Sequence, residues 1–137
     1  MANNDFAEKV NVFLSKIVPE KVDAKIRRIA MACYSQVITA SPVDEGTFRA
    51  NWKIAFGKIN REFDDSLDDH NTSFAQQTSQ ALAMIGSQQN VIGTSIFICN
   101  SAPYAVRLEH GYSRQAPAGI IGPAVRNIKA AIEAGAL

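Results

Sequence analysis

The chain has 137 residues, 47% of them apolar and 20% charged, and its 14 Lys and Arg against 13 Asp and Glu leave a net charge of +1. At this length one domain over 1–137 is expected, able to bury roughly two-thirds of its unfolded surface. The apolar fraction excludes intrinsic disorder, the absence of any apolar run near ~20 residues excludes a spanning helix and a membrane partner, and the near-neutral charge argues against a dedicated nucleic-acid binder.

Residues 4–18 carry Phe6, Val10, Phe13, Leu14 and Ile17 at the spacing of one helical face, with Asn4 or Asp5 as the cap. The opening Met1–Asp5 lacks the basic-then-apolar layout of a signal peptide. Pro19 breaks or kinks this helix and suits the first turn of the next, with Glu20 near the positive end. Val22, Ile26, Ile29, Ala30, Cys33 and Val37 continue the helical pattern until Ser41-Pro42, where a residue preceding proline leaves the helical region. The next stretch, Ser41 to Gly46, reads as a turn. Phe48, Ala50, Trp52, Ile54 and Phe56 then alternate with Thr47, Arg49, Asn51 and Lys53, which predicts a strand with one apolar face. Ile59 and Phe63 extend it raggedly.

The stretch 62–72 holds Glu62, Asp64, Asp65, Asp68 and Asp69 with no Lys or Arg, a local balance of −5 in an otherwise mildly basic chain. It reads as a solvated loop. Helical spacing returns over 74–89, with Phe74, Thr78, Ala81, Leu82 and Ile85 on one side and a cap at Asn71, Thr72 or Ser73. Thr94–Asn100 predicts a second strand; Ile96 to Cys99 is apolar on both faces, which suggests a covered, central position. A short helix opens at Ala102-Pro103-Tyr104 and ends at Gly111, and Ile121, Val125, Ile128 and Ile132 mark a closing helix. The order predicts an α+β fold: a small, mainly antiparallel sheet packed with a long kinked N-terminal helical region, a middle helix and a C-terminal helix. A helix between the two strands would also permit a parallel crossover.

Chemistry is not signalled. His70 and His110 stand in no zinc-binding frame, and Cys33 and Cys99 read as small buried hydrophobes in a reducing cytoplasm. The acidic stretch lacks the glycine and glutamate of a calcium loop. Phosphate-binding loops and nucleophile elbows are missing as well, so no catalytic, metal or cofactor-binding residue is nominated and an enzyme is not expected. Arg49, Lys53 and Arg61 offer a basic strand face, the basis of an alternative reading as a DNA-binding module.

Two stretches are more specific. Ser41-Pro42-Val43-Asp44-Glu45-Gly46-Thr47-Phe48-Arg49-Ala50-Asn51-Trp52 resembles the [Ser/Thr]-Pro-Val-Asp-Thr-Gly-x-[Leu/Phe]-Arg-x-x-Trp signature of the tailed-bacteriophage neck, or tail-completion, proteins of the head–tail junction. Asn100-Ser101-Ala102-Pro103-Tyr104-Ala105-Val106-Arg107-Leu108-Glu109-His110-Gly111 is similar to that family's Asn-x-x-x-Tyr-Ala-x-x-[Val/Leu]-Glu-x-Gly stretch, and Gln115 to Gly119 resembles the proline-alanine segment before its last helix. Glu45 replaces the usual threonine, and His110-Gly111-Tyr112 replaces aromatic-Gly-Thr.

The resemblance implies a virion protein, made in the bacterial host cytoplasm, that forms a homo-oligomeric ring of six or twelve copies. Such a ring joins portal-side connector proteins to the tail tube or terminator proteins and leaves a channel for genomic DNA, passed without sequence recognition. A tail-tube terminator is the neighbouring alternative. Ring closure needs heterologous faces, for which the long N-terminal helices and the sheet edge stand out. Subunit-interface candidates are Trp52, Arg49, Tyr104, Arg107 and Glu109; Trp52 reads equally as a core anchor. Asp64, Asp65, Asp68 and Asp69 are the candidates to face the channel, where like charge would keep DNA off the wall.

Overall fold

Helical spacing from the N-terminus to Ser41 produces one long helical rod. The structure, a computed structural model, describes residues 2–137. The rod comprises α1 (Ala2–Val12), a π-helical turn (Phe13–Ile17) and α2 (Val18–Ala40). It begins before the expected cap at Asn4 or Asp5, and the Asn4 side chain lies outside the described residues. Pro19 does not break it. A proline ring collides with the carbonyl four residues back in a regular α-helix. Here the wider turn just before it, closed by Val18 N–H donating to the Phe13 carbonyl, relieves that crowding. The rod stops at Ser41, which is extended (φ −69°, ψ 135°) ahead of Pro42.

The predicted strand across 48–56 is shorter than its alternation suggests. Thr47–Ala50 forms a helical turn, α3, and only Lys53–Phe56 is strand β1. The reason is Asn51. Its place in the alternation assigns it to solvent, yet it is 0% exposed. Its amide nitrogen donates to the Thr47 carbonyl at 2.8 Å and the Asp64 carbonyl at 2.8 Å, and its oxygen accepts from Asp64 N–H at 2.8 Å. These bonds close the helical turn and anchor the following loop. Ile59 and Phe63 lie in that loop and not in a strand.

β1 pairs antiparallel with β2 (Ile96–Cys99), with Ile54 opposite Ile98 and Phe56 opposite Ile96. The parallel crossover is thereby excluded. β2 is not central: among the described residues the sheet has two strands, and all four β2 residues are half-buried. Helix α4 (Phe74–Ser87) starts with a capping box in which Ser73 Oγ accepts from Gln76 N–H and Gln76 Oε1 accepts from Ser73 N–H. Its buried positions are Gln77, Ala81 and Ile85, while Phe74 and Leu82 of the predicted face are exposed. Short α5 (Ala105–Glu109) ends at Gly111, whose φ of +83° allows Tyr112 N–H to reach back to the Arg107 carbonyl. Helix α6 (Ile121–Glu133) packs on α2 with Ala124 and Ile128 inward and Val125 exposed.

The core joins Tyr34 and Ile38 of α2, Phe48, Trp52, Ile54, Ile85, Leu108 and Ile120. An ionic clamp fastens α4 to the rod. Arg27 donates to the Ile85 carbonyl and, at 2.6 Å, to the Gln88 carbonyl, which serves the acceptors at the end of α4. Asp23 holds the guanidinium at 2.7 Å and accepts from Val91 N–H, and these bonds, Arg27 first, hold its carboxyl below the usual range. Arg27→Ala is expected to cost roughly 1.5–3 kcal/mol in urea unfolding, with Arg27→Lys recovering only part because an ammonium lacks the guanidinium fork.

Candidate functional site

The stretches 41–52 and 100–111, separated in sequence, meet in space. Ser41 Oγ accepts from Trp52 Nε1–H at 2.6 Å and donates to the Val37 carbonyl at 2.6 Å, so one hydroxyl ties the helix end to the tryptophan. Tyr34 hydroxyl donates to the Trp52 carbonyl at 3.1 Å. Asn100 Nδ2 donates to the Phe48 carbonyl at 2.7 Å and joins the second stretch to the first. The ring of Phe48 packs edge-on against Trp52 and tilted against Tyr104, with centroids 5.8 and 6.0 Å apart. Gln115 reaches back to the turn: its oxygen accepts from Val43 N–H at 2.9 Å and its nitrogen donates to the Val43 carbonyl at 3.0 Å.

Two glycines permit the close approaches. Gly46, at φ +88°, lies against Asp69, where an added Cβ would stand 2.6 Å from the Asp69 nitrogen. Gly119, at φ +86°, lies against the Glu109 backbone and carboxylate. Glu109 accepts from three consecutive N–H groups at the start of α6: Ile120 at 3.0 Å, Ile121 at 2.6 Å and Gly122 at 3.1 Å. Partial burial pushes its pKa up, but these bonds, with that of Ile121 largest, outweigh it and hold the carboxyl below its ordinary value.

The interface candidates therefore separate. Trp52, 4% exposed, takes the core position, one of the two read for it, and its side chain is covered within the single chain and not available to a neighbour. Glu109 is likewise engaged inside the subunit. Arg49 sits on α3 with its Nε buried and without a hydrogen bond. Tyr104 and Arg107 reach the surface, and the Arg107 guanidinium lies 5.9 Å from the centroid of the Tyr112 ring, which is 76% exposed. Burial, with the Glu45 charge added, raises the Tyr104 hydroxyl pKa. Together Pro42, Phe48, Tyr104, Leu108, Tyr112 and Gln115 line much of a cleft of about 420 Å³ on this surface.

The acidic loop is internally organised. Asp64 accepts from Ser66 Oγ and from Ser66 N–H at 2.9 Å, and these bonds lower its pKa, the hydroxyl bond first. Asp68 accepts from the N–H groups of His70 and Asn71. The Asp65 carboxylate is exposed, and Asp69 carries a loose contact to His70 at 3.8 Å. Among the described residues no three His, Cys, Asp or Glu side chains group as metal ligands. The basic strand face does not form: Arg49 is on a helical turn, Lys53 Nζ donates to the Glu62 carbonyl at 2.8 Å, and Arg61 lies in the loop. Sequence reading missed Gln115 and Asn51 as organisers. An amide that serves backbone groups far along the chain leaves no periodic signal.

Comparison with protein-family models, curated proteins and solved structures finds no match.

Proposed function

We propose that this chain is a structural subunit of a phage head–tail junction, forming a ring around the DNA path between connector and tail. The observation that carries the reading is the interlocking of the two stretches that resemble the neck-protein signatures. The proline turn, Trp52, Asn100, Tyr104, Glu109 and Gly119 form one hub through direct bonds and packing. The hub holds the end of the rod, the sheet and α6 in a fixed relation, as a repeating building block requires. Within the ring the loop 62–72 faces the channel: its internal bonds hold it in shape while Glu62 and Asp65 keep exposed carboxylates. That charge repels passing DNA.

Electron cryo-imaging of purified particles, with the subunit located by a bound antibody fragment, tests the reading. Expected is a ring at the junction of capsid and tail with the acidic loops lining its bore. A particle lacking the subunit would overturn the function; a ring with those loops on its outer rim would overturn the channel assignment alone.

A further inference from the structure

The N-terminal arm has a surface that the rest of the subunit does not use. Every residue from Asp5 to Ile17 is exposed. Its apolar stripe is Phe6, Val10, Phe13, Leu14 and Ile17, with Phe6 71% and Leu14 60% exposed. These five side chains present roughly 500 Å² of apolar surface, toward the upper end of what an ordinary monomer leaves open in one patch. Asp5, Glu8, Lys9 and Lys16 give the arm no basic excess, so it is not built for an anionic lipid surface.

A second apolar feature lies farther along the same rod. Ile26, Ile29, Ala30 and Cys33 of α2 and Thr94, Ile96 and Ile98 beside the sheet line an open groove of about 320 Å³. It exists because α2 only partly covers the inner sheet face at its β2 side. Gly57 N–H donates to the Ser95 carbonyl, which makes this a hydrogen-bonded pair and, in the antiparallel alternation, turns the backbone groups of Ile96 and Ile98 away from β1. The groove therefore runs along an open strand edge.

The arm cannot fill its own groove. Phe13 and Ile29 lie on one continuous helical rod, and a helix rises about 1.5 Å per residue, so they stand roughly 24 Å apart. We propose that the arm of one copy lies in the α2–β2 groove of the next, a head-to-tail contact between copies of this chain. An arm stripe of roughly 500 Å² and the matching surface around the groove bury about 1,000 Å² together, which reaches the lower bound for a specific interface. The contact is heterologous: each copy gives one arm and receives another, and repetition produces a ring where the rotation closes. This deepens the ring reading above and rests on it only for closure.

The test uses the full chain. Light scattering on the purified protein is expected to show concentration-dependent oligomers. Phe13→Glu and Leu14→Glu change exposed positions and are expected to weaken self-association more than about a hundredfold while leaving thermal unfolding unchanged at dilutions where the wild type is monomeric. A wild type that stays monomeric at every concentration, or variants that associate as the wild type does, would overturn the proposal. Cys33 in the groove then identifies the seat. Single cysteines placed in turn at Val10, Phe13 and Leu14, in a Cys99→Ser background, are expected to yield an oxidised ladder of dimer, trimer and higher species that disappears with Cys33→Ala. Dimers alone, persisting without Cys33, would mean that arms pair with each other and the groove is not the seat. Loss of the subunit from the junction in particle images would leave the ladder intact, so the two readings fail separately.

Discussion

Trp52→Ala is expected to lose roughly 3–5 kcal/mol of unfolding free energy, the range for emptying a large aromatic site. Against a total of about 5–15 kcal/mol for an ordinary domain, this leaves the chain marginal. Three connections fail together. The core loses its indole, Phe48 loses its edge-on partner, and Ser41 Oγ loses the donor that joins it to the strand segment. Trp52→Phe restores most of the volume and leaves the hydroxyl acceptor unserved, so an intermediate loss of roughly 1–3 kcal/mol is expected. Tyr112→Ala, at an exposed position, is expected to stay within about 0.5 kcal/mol of the wild type. Urea midpoints at constant m-value read all three. A Trp52→Ala protein as stable as the wild type but impaired in assembly would return the tryptophan to the subunit seam and remove the hub as the organising centre.

The α+β class was legible because the strongest signals are local. Helical spacing over 4–40 and 121–132 is long enough to average over its exceptions, and Ser41-Pro42 stops the rod for a purely stereochemical reason. The errors came where one residue answers to a distant partner. Asn51 sits at a solvent position of a period-2 pattern and is fully buried because Asp64 supplies its complement. Gln77, a polar residue, occupies the buried side of α4 because its nitrogen donates to the Arg49 carbonyl at 2.8 Å, and Phe74 and Leu82 are left outside. β2 is apolar on both faces without being central: α2 covers one side in part, and Cys99 on the other donates its thiol to the Asn60 carbonyl. At the candidate site the two stretches singled out in the sequence meet in space, yet the sequence could not separate side chains left at the surface from those that bond within the hub. Trp52 and Glu109 belong to the second kind, and Arg107 and Tyr104 remain at the surface.

Glu109→Gln is expected to reduce stability by roughly 2–3 kcal/mol at neutral pH, since an ionised acceptor serving three N–H groups becomes a neutral amide. The amide oxygen can still accept, but the NH2 group occupies the other oxygen's place, and a donor then faces either the Gly122 nitrogen or those of Ile120 and Ile121. The acid limb of the stability curve carries a sharper signature. The folded chain holds the Glu109 pKa below its unfolded value, so the unfolded state binds the proton more readily. The contribution of this group is therefore fully present above the ordinary glutamate value of about 4.3 and is lost as pH falls through the depressed folded value. Asp23 and Asp64, also held below their ordinary values, add acid sensitivity of the same sign in both proteins. The difference between wild type and Glu109→Gln isolates the one carboxylate: it is expected to be constant from neutral pH down to about 5 and to shrink below that. A difference that stays constant through the acid range would mean that Glu109 is not held ionised by α6, and the joint between the Tyr104–Gly111 stretch and the last helix would then rest on Leu108 and Ile120 alone.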